Sequence, residues 1–307
     1  MSLFAFDAAV PPSGYRWWYL DGVSADGRYG IVIIAFVGSV FSPYYYRARQ
    51  RGAVNPEDHS AINVCLYRPD GDRWAMTERS ARALLRSAGS FAVGSSALSW
   101  DGDRLTAEIS ARTAPFFRPL EGRVTLTPAA LNHRRFDLDS QGRHSWQPLA
   151  PVAHIAVDFD LPAVHWEGHA YADTNYGERM LELDFTTWDW SRTTAAGSTT
   201  LYYVANQLDG STRSLGLCFD DTGSFASARV PPPCELPPGI WRVGRTARGD
   251  APLVVARSLE DTPFYTRSLL RSENDGENLT VHESLDMRRF RQAWVRTLLP
   301  FRMPRFR

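Results

Sequence analysis

The chain has 307 residues with 34 basic and 34 acidic side chains and a pI of about 7.1, enough for two ordinary domains or one large β domain, and it lacks the net basic field that nucleic-acid binders present. An aromatic share of 12% points to a ring-rich core or an apolar cavity, and the three cysteines, Cys65, Cys218 and Cys234, have no metal-ligand spacing and form no even-numbered disulfide framework. The N-terminus MSLFAFDAAVPP shows no signal-peptide pattern and no apolar run approaches the ~20 residues of a membrane span, so the expected place is the cytoplasm.

After Pro11-Pro12, two β-type runs, Tyr15 to Leu20 and Tyr29 to Val37, flank DGVSADG, a set of turn formers, and read as a hairpin whose second run is apolar on both faces. Tyr44 to Tyr46 then lead into RARQRGAVNPEDHS, a polar, irregular segment of the kind that covers a pocket mouth. Further hairpins follow at Ala61 to Tyr67 with Arg73 to Glu78, and around the Trp-Asp-Gly-Asp turn of ALSWDGDRLTAEISART, with another run at Arg123 to Thr127. Meandering strands at this spacing predict an all-β barrel or sandwich. A domain boundary is expected where Pro162 closes the alternating run Val152 to Leu161, giving β domains at 1–162 and 163–284. The second holds a similar series of runs, including Ile240 to Arg245 after the stiff connector Pro231 to Gly239.

The end, 285–307, changes character. Met287, Phe290, Trp294 and Leu298 fall at helical spacing, seven arginines accompany the single acid Asp286, and Pro300 and Pro304 stop the pattern. Two readings remain open: a C-terminal helix docked on the second domain, or a basic amphipathic segment lying on an anionic membrane surface.

The unusual chemistry sits between His144 and Arg192. His144 and Trp146 form a His-x-Trp pair, and Tyr171 and Asp173 a Tyr-x-Asp pair, so on strands each pair would present both side chains to one face. An acid, an imidazole and two electron-rich rings suit the handling of a carbocation: Asp173 to give a proton, the Trp146 and Tyr171 faces to hold positive charge, His144 to orient the acid or a water. On residue types alone the structural reading leads, since rings at alternate strand positions usually pack and an Asp before Asn-Tyr-Gly usually turns. Trp188, Trp190 and Trp18 are candidate substrate walls. In Trp188-Asp189-Trp190-Ser191-Arg192 a buried corner held by Trp packing and an Asp189–Arg192 ion pair is favoured over substrate contact. HWEGH, with His165, Glu167 and His169, misses the zincin spacing and reads as a strand, so no metal is assigned. There is no GxSxG elbow, P-loop or GxGxxG opening a helix.

YRWWYLDGVSADGRYGIVIIAFVGSVFSPYYY, INVCLY with RWAMTER, HSWQPLAP, HAYADTNYGE, FTTWDWSR and LLPFRMPR together resemble the carotenoid 1,2-hydratases, also called hydroxyneurosporene synthases, from Tyr15 to Arg305. The resemblance implies two lipocalin-like β domains and addition of water across the terminal C1=C2 bond of an acyclic carotene such as neurosporene or lycopene. It places the family's catalytic pairs on His144, Trp146, Tyr171 and Asp173. It implies a hydro-lyase without organic cofactor or metal, with a hydrophobic carotenoid and water as partners; on the second reading of the C-terminal segment, Leu285 to Arg307 would add peripheral contact with the cytoplasmic membrane surface. The alternatives are a terpenoid cyclase or pericyclase of the same fold, or a lipocalin-like lipid carrier without chemistry. A carrier needs an apolar cavity but has no use for a buried acid beside an imidazole.

Overall fold

A computed structural model describes residues 3–272 and 278–305. The backbone divides into two compact units, Met1–Met180 with Thr297–Arg307, and Leu181–Arg296. The first holds β1 (Tyr15–Ser24), β2 (Gly30–Val37), α1 (Pro43–Arg49), β3 (Ala61–Tyr67), β4 (Arg73–Met76), β5 (Leu84–Ser87), β6 (Ser90–Val93), β7 (Ser96–Trp100), β8 (Leu105–Arg112), β9 (Pro119–Pro128), β10 (Phe136–Asp137), β11 (His144–Leu161) and β12 (Ala163–Gly177). They make one sheet in the order β4-β3-β2-β1-β12-β11-β9-β8-β7-β6-β5, with β10 on β11. The expected boundary at 162/163 falls at the tip of the β11–β12 hairpin. The unit division lies later, at 180/181, because β12 pairs with β1 over its length from Gly168 to Gly177.

Strand alternation gives this sheet two unlike faces. Trp18 and Leu20 on β1, Ile31 and Ile33 on β2 and Val64 and Leu66 on β3 belong to one apolar core with Phe91, Leu126, Ile155 and Phe159. Full burial of each such aliphatic side chain contributes about 1.5–3 kcal/mol. The opposite face of the same strands carries Tyr15, Trp17, Tyr19 and Asp21 on β1 and Tyr171, Asp173 and Asn175 on β12, all buried. β11 serves both faces. Register shifts between Pro148 and Ala150 and between Ala150 and Ala153 let His144 and Trp146 share the polar face while Ala150 onward enters the core.

Two connections differ from expectation. β1 runs on through Asp21 to Ser24, so the first turn is shorter than DGVSADG. The polar segment after Tyr44 is not simply irregular: Ser42 caps α1, and a 3-10 turn, Pro56–His59, follows. The buried Tyr45 hydroxyl donates to the Gly14 carbonyl at 2.7 Å and anchors that helix.

The second unit holds β13 (Phe185–Ala195), β14 (Ser198–Gln207), β15 (Thr212–Asp220), β16 (Phe225–Ser227), β17 (Pro233–Glu235), β18 (Thr246–Arg248), β19 (Leu253–Asp261), β20 (Tyr265–Ser272) and β21 (Leu279–Asp286). Its main sheet runs β16-β15-β14-β13-β21-β20-β19, with β17 and β18 paired apart. The strand expected at Ile240 to Arg245 is a turn and irregular chain; the stiff connector before it supplies β17 instead. The single helix expected over 285–307 is also divided. β21 continues to Asp286, whose carboxylate caps α2 (Met287–Phe290), and α3 (Ala293–Leu298) is a separate helix. The Arg296 guanidinium donates to the Arg291 carbonyl at the break. Met287 and Phe290 are therefore buried while Trp294 is 44% exposed, Val295 taking the inward position. Phe306 and Arg307 lie outside the described residues.

The tail past Thr297 is tied into the first unit at Glu78. This buried carboxylate meets His59 Nδ1 at 2.8 Å and the Arg305 guanidinium, and the Glu78 backbone N–H donates to the Pro304 carbonyl at 3.0 Å. Removing one member of a buried ionic cluster costs about 3–5 kcal/mol. Glu78→Ala is expected to lower the denaturation midpoint and to expose the bond after Arg302 to trypsin; unchanged proteolysis would show that the tail is held by other means.

Candidate active site

Three adjacent strands build the site. β1 and β12 pair without interruption from Tyr15 opposite Gly177 to Ser24 opposite Gly168, and β11 joins on the other side with His144 opposite Gly177 and Trp146 opposite Asn175. Asp173 is 5% exposed. Its Oδ2 accepts from the Trp146 indole N–H at 2.8 Å and from the Tyr171 hydroxyl at 2.8 Å, and the same indole N–H lies 3.2 Å from the Tyr171 oxygen. Burial, followed by the neighbouring Asp173 charge, pushes the Tyr171 hydroxyl well above the ordinary tyrosine range. Tyr171 therefore stays a donor toward Asp173 across the working pH range. Phe136, opposite Trp146 on β10, packs its ring 5.7 Å from the indole and Tyr19 sets its ring edge-on to Tyr171 at 6.2 Å.

His144 occupies a different part of the face. Its Nδ1 shares a 2.9 Å hydrogen bond with the Tyr15 hydroxyl, and it sits opposite Gly177, four residues along β12 from Asp173. Its backbone N–H donates to Asp139 Oδ2 at 2.7 Å, while Asp139 Oδ1 accepts from the Gln141 and Arg143 N–H groups, so one buried carboxylate shapes the turn that delivers the imidazole. A Cβ at Gly177 would lie 2.7 Å from His144 Nδ1, so the close approach requires glycine there. The structure thus brings Trp146, Tyr171 and Asp173 into one hydrogen-bonded set and sets His144 beside it with Tyr15.

The other candidates sit on different faces or strands. Trp18 points to the opposite face, inside the apolar core, with its indole N–H on the Phe4 carbonyl; one residue's difference along β1 decides this. Trp188 and Trp190 stand on one face of β13 in the second unit, Trp188 against Phe185 and Tyr203. His165 and Glu167 form cross-strand pairs with Asp158 and His154 on the exposed face of the β11–β12 hairpin. Tyr15, Asp139 and Asp21 were not singled out from the sequence. The signal was present in alternation: Tyr15, Trp17, Tyr19 and Asp21 share a face once β1 extends through the supposed turn.

A sequence profile described as carotenoid hydratase CrtC matches residues 33–307. The chain belongs to this family. An acyclic carotenoid 1,2-hydratase of Thiocapsa roseopersicina is 46% identical over 304 residues, covering 98% of this chain and 75% of the relative. One from Rubrivivax gelatinosus is 47% identical with the same coverage, and one from Rhodobacter capsulatus is 40% identical over 89% of this chain and 97% of its own length. Among solved structures, a putative AttH from Nitrosomonas europaea superposes with a TM-score of 0.59 at 14% identity, covering 89% of this chain and 92% of its own. Kievitone hydratase from Nectria haematococca gives 0.54 at 8% identity over 92% of each chain. At these identities the structural likeness is one of fold, and it agrees with the all-β, lipocalin-like architecture that the family resemblance implied.

The Asp189–Arg192 ion pair expected within this family segment does not form, because residues three apart on a strand face opposite sides. Asp189 instead accepts from the Ser284 hydroxyl at 2.5 Å and the Thr246 N–H at 3.4 Å, and Arg192 donates to Thr194. Burial pushes the Asp189 carboxyl up to about 6, and burial pushes His282, on the same sheet face, down to about 4. The unfolded Asp189 ionises first, so its contribution to stability falls as pH rises from about 4 to 6; the unfolded His282 holds its proton longer, so its contribution rises over much the same window. Asp189→Asn removes only the first slope. Denaturation followed by Trp fluorescence should show the variant gaining about 2–3 kcal/mol relative to wild type between pH 4 and 7; parallel profiles would contradict this assignment.

Proposed function

We propose that the protein adds water across the terminal C1=C2 double bond of an acyclic carotene of the neurosporene or lycopene type, with Asp173 as the acid. The observation that carries the reading is the pair of donors on one oxygen of a buried carboxyl. An isolated alkene is a very weak base, so its protonation needs an acid whose conjugate anion is stabilised at the moment it forms. Trp146 and Tyr171 already point at Oδ2, where that charge develops, and the proton to be transferred is assigned to Oδ1. Their hydrogen bonds strengthen as Asp173 becomes an anion, and being in place beforehand they cost no reorganisation.

Proton transfer to C2 leaves a tertiary cation at C1. The faces of Trp146 and Tyr171 each stabilise a nearby cation by roughly 0.5–2 kcal/mol in a dehydrated site. Water then forms the C1–O bond and loses a proton. No oxidation state changes in the sum, so a hydro-lyase needs no redox partner for this step. His144, fixed by Tyr15 and the Asp139 turn, orders the polar end of the face.

Incubation with lycopene in detergent should yield a product heavier by one water. Asp173→Asn, which keeps size and acceptor but cannot supply the proton, is expected to abolish it, and Tyr171→Phe to retain part of the rate at roughly 10–100-fold loss. A folded Asp173→Asn protein that hydrates at the normal rate would remove the acid assignment.

The substrate partitions into bilayers, and a membrane-facing patch fits the second unit. Ile240 is 91% exposed, and Trp241 and Trp294, 38% and 44% exposed, stack at 6.0 Å. Arg289 donates to the Trp241 carbonyl and Arg288 lies on the neighbouring turn. Exposed Trp beside Arg is the composition of an interfacial anchor. Among the described residues no helix is long and apolar enough to cross a membrane. Replacing Trp241 and Trp294 together with Ser should reduce turnover of liposomal lycopene at least several-fold while sparing the detergent assay; equal losses in both assays would speak for a purely structural stack.

A further inference from the structure

We infer that Asp21 is the general base of the reaction, taking the proton from the attacking water while Asp173 acts as the acid; the inference rests on the hydratase reading above. The sequence Tyr19-Leu20-Asp21 repeats the Tyr-x-Asp spacing of Tyr171-Ala172-Asp173. The two run antiparallel in uninterrupted register, Tyr19 opposite Asp173 and Asp21 opposite Tyr171, so four side chains project from one face of the sheet. The Tyr19–Tyr171 ring contact at 6.2 Å is one diagonal of this square. Asp21 and Asp173 form the other.

Diagonal neighbours on adjacent strands lie about 7–8 Å apart, with their Cβ atoms somewhat closer, so their side chains reach into one space. Two carboxyls rooted in this way can flank one water, the arrangement of enzymes that pair an acid and a base across about 6.5–9.5 Å. Asp21 is 1% exposed, as deeply placed as the apolar residues beside it, and its charge is felt at the Tyr171 hydroxyl. The reaction requires Asp173 to start protonated and Asp21 ionised, one negative charge between the two carboxyls. His144 is less well placed for the role. It is hydrogen-bonded to Tyr15 at the Gly177 end of the strands, whereas Asp21 lies opposite Tyr171, on the other side of Asp173.

The step balances as follows. The C1=C2 π electrons take the Asp173 proton, forming C2–H and leaving the cation at C1. A water lone pair forms C1–O, and the Asp21 carboxylate takes one of that water's protons, giving the tertiary alcohol. Net transfer of one proton from Asp21 to Asp173 restores the starting state.

Deuterium separates the two carboxyls. Full-length wild type, Asp173→Asn, Asp21→Asn and Asp21→Glu would be incubated with lycopene in detergent made up in deuterium oxide, and both product and recovered lycopene analysed by mass. Circular dichroism would verify folding. Loss of the base leaves protonation intact but slows capture, so the cation reverts by losing a proton. Asp21→Asn should therefore lower hydration by at least ~100-fold while recovered lycopene still gains deuterium. Asp173→Asn should lose both. Asp21→Glu, which restores a carboxylate, should recover part of the hydration and the acidic limb of the pH–rate profile that Asp21→Asn lacks. Near-normal hydration by Asp21→Asn, loss of exchange together with hydration in that variant, or a Glu variant no better than Asn would overturn the assignment. A wild-type protein that neither hydrates nor exchanges would instead remove the hydratase reading, and the base with it.

Discussion

The unbroken antiparallel pairing of β1 with β12 is the constraint on which the rest depends. Because side chains alternate strictly along both strands, one register fixes two things together: Trp18, Leu20, Ala170 and Ala172 enter the apolar core, and Tyr19, Asp21, Tyr171 and Asp173 gather on the reverse. A slip of one residue would exchange them. The core therefore holds the register that aligns the polar side chains, and neither face can be altered without the other. β11 is the exception that completes the site. Its bulges turn the strand so that His144 and Trp146 join the polar face while Ile155, Val157 and Phe159 still fill the core.

The chemistry follows from keeping polar groups in a poorly solvated space. A buried carboxyl is expensive unless it is hydrogen-bonded, and Asp173 meets that cost with the indole and phenol groups that also present electron-rich faces. In the proposed mechanism the same residues would serve the acid as donors and the cation as rings. Tyr171 can do so because burial and its acidic neighbour keep it protonated. Asp139 contributes indirectly, by folding the turn ahead of His144. Membership of the carotenoid hydratase CrtC family fits a site that needs a strong acid and little water.

Much of this was legible in the sequence where a local rule decides the outcome. Alternation predicted that His144 with Trp146 and Tyr171 with Asp173 would share faces, and turn residues located most of the hairpins of the first unit. What failed were features set at a distance. Asp-Gly is a turn former and reads as one at Asp21, but pairing with β2 and β12 carries β1 past it. Residue type marks Trp18 as a site wall, yet its neighbour Tyr19 holds the facing position. The boundary at Pro162 mistook a hairpin tip for a linker, since nothing in the residues announces that β12 returns to β1. The expected C-terminal helix breaks at Arg291-Gln292, where Arg296 satisfies the carbonyls that a continuous helix would have paired.

The protonation state of Asp173 is the point on which the account turns, and infrared spectroscopy reads it directly. At the pH of maximal lycopene turnover, the difference spectrum between wild type and Asp173→Asn should contain the C=O stretch of a neutral carboxylic acid in the wild type, shifting on exchange into deuterium oxide. A difference spectrum showing only the bands of an ionised carboxylate would contradict it, because a carboxylate beside the alkene has no proton to give.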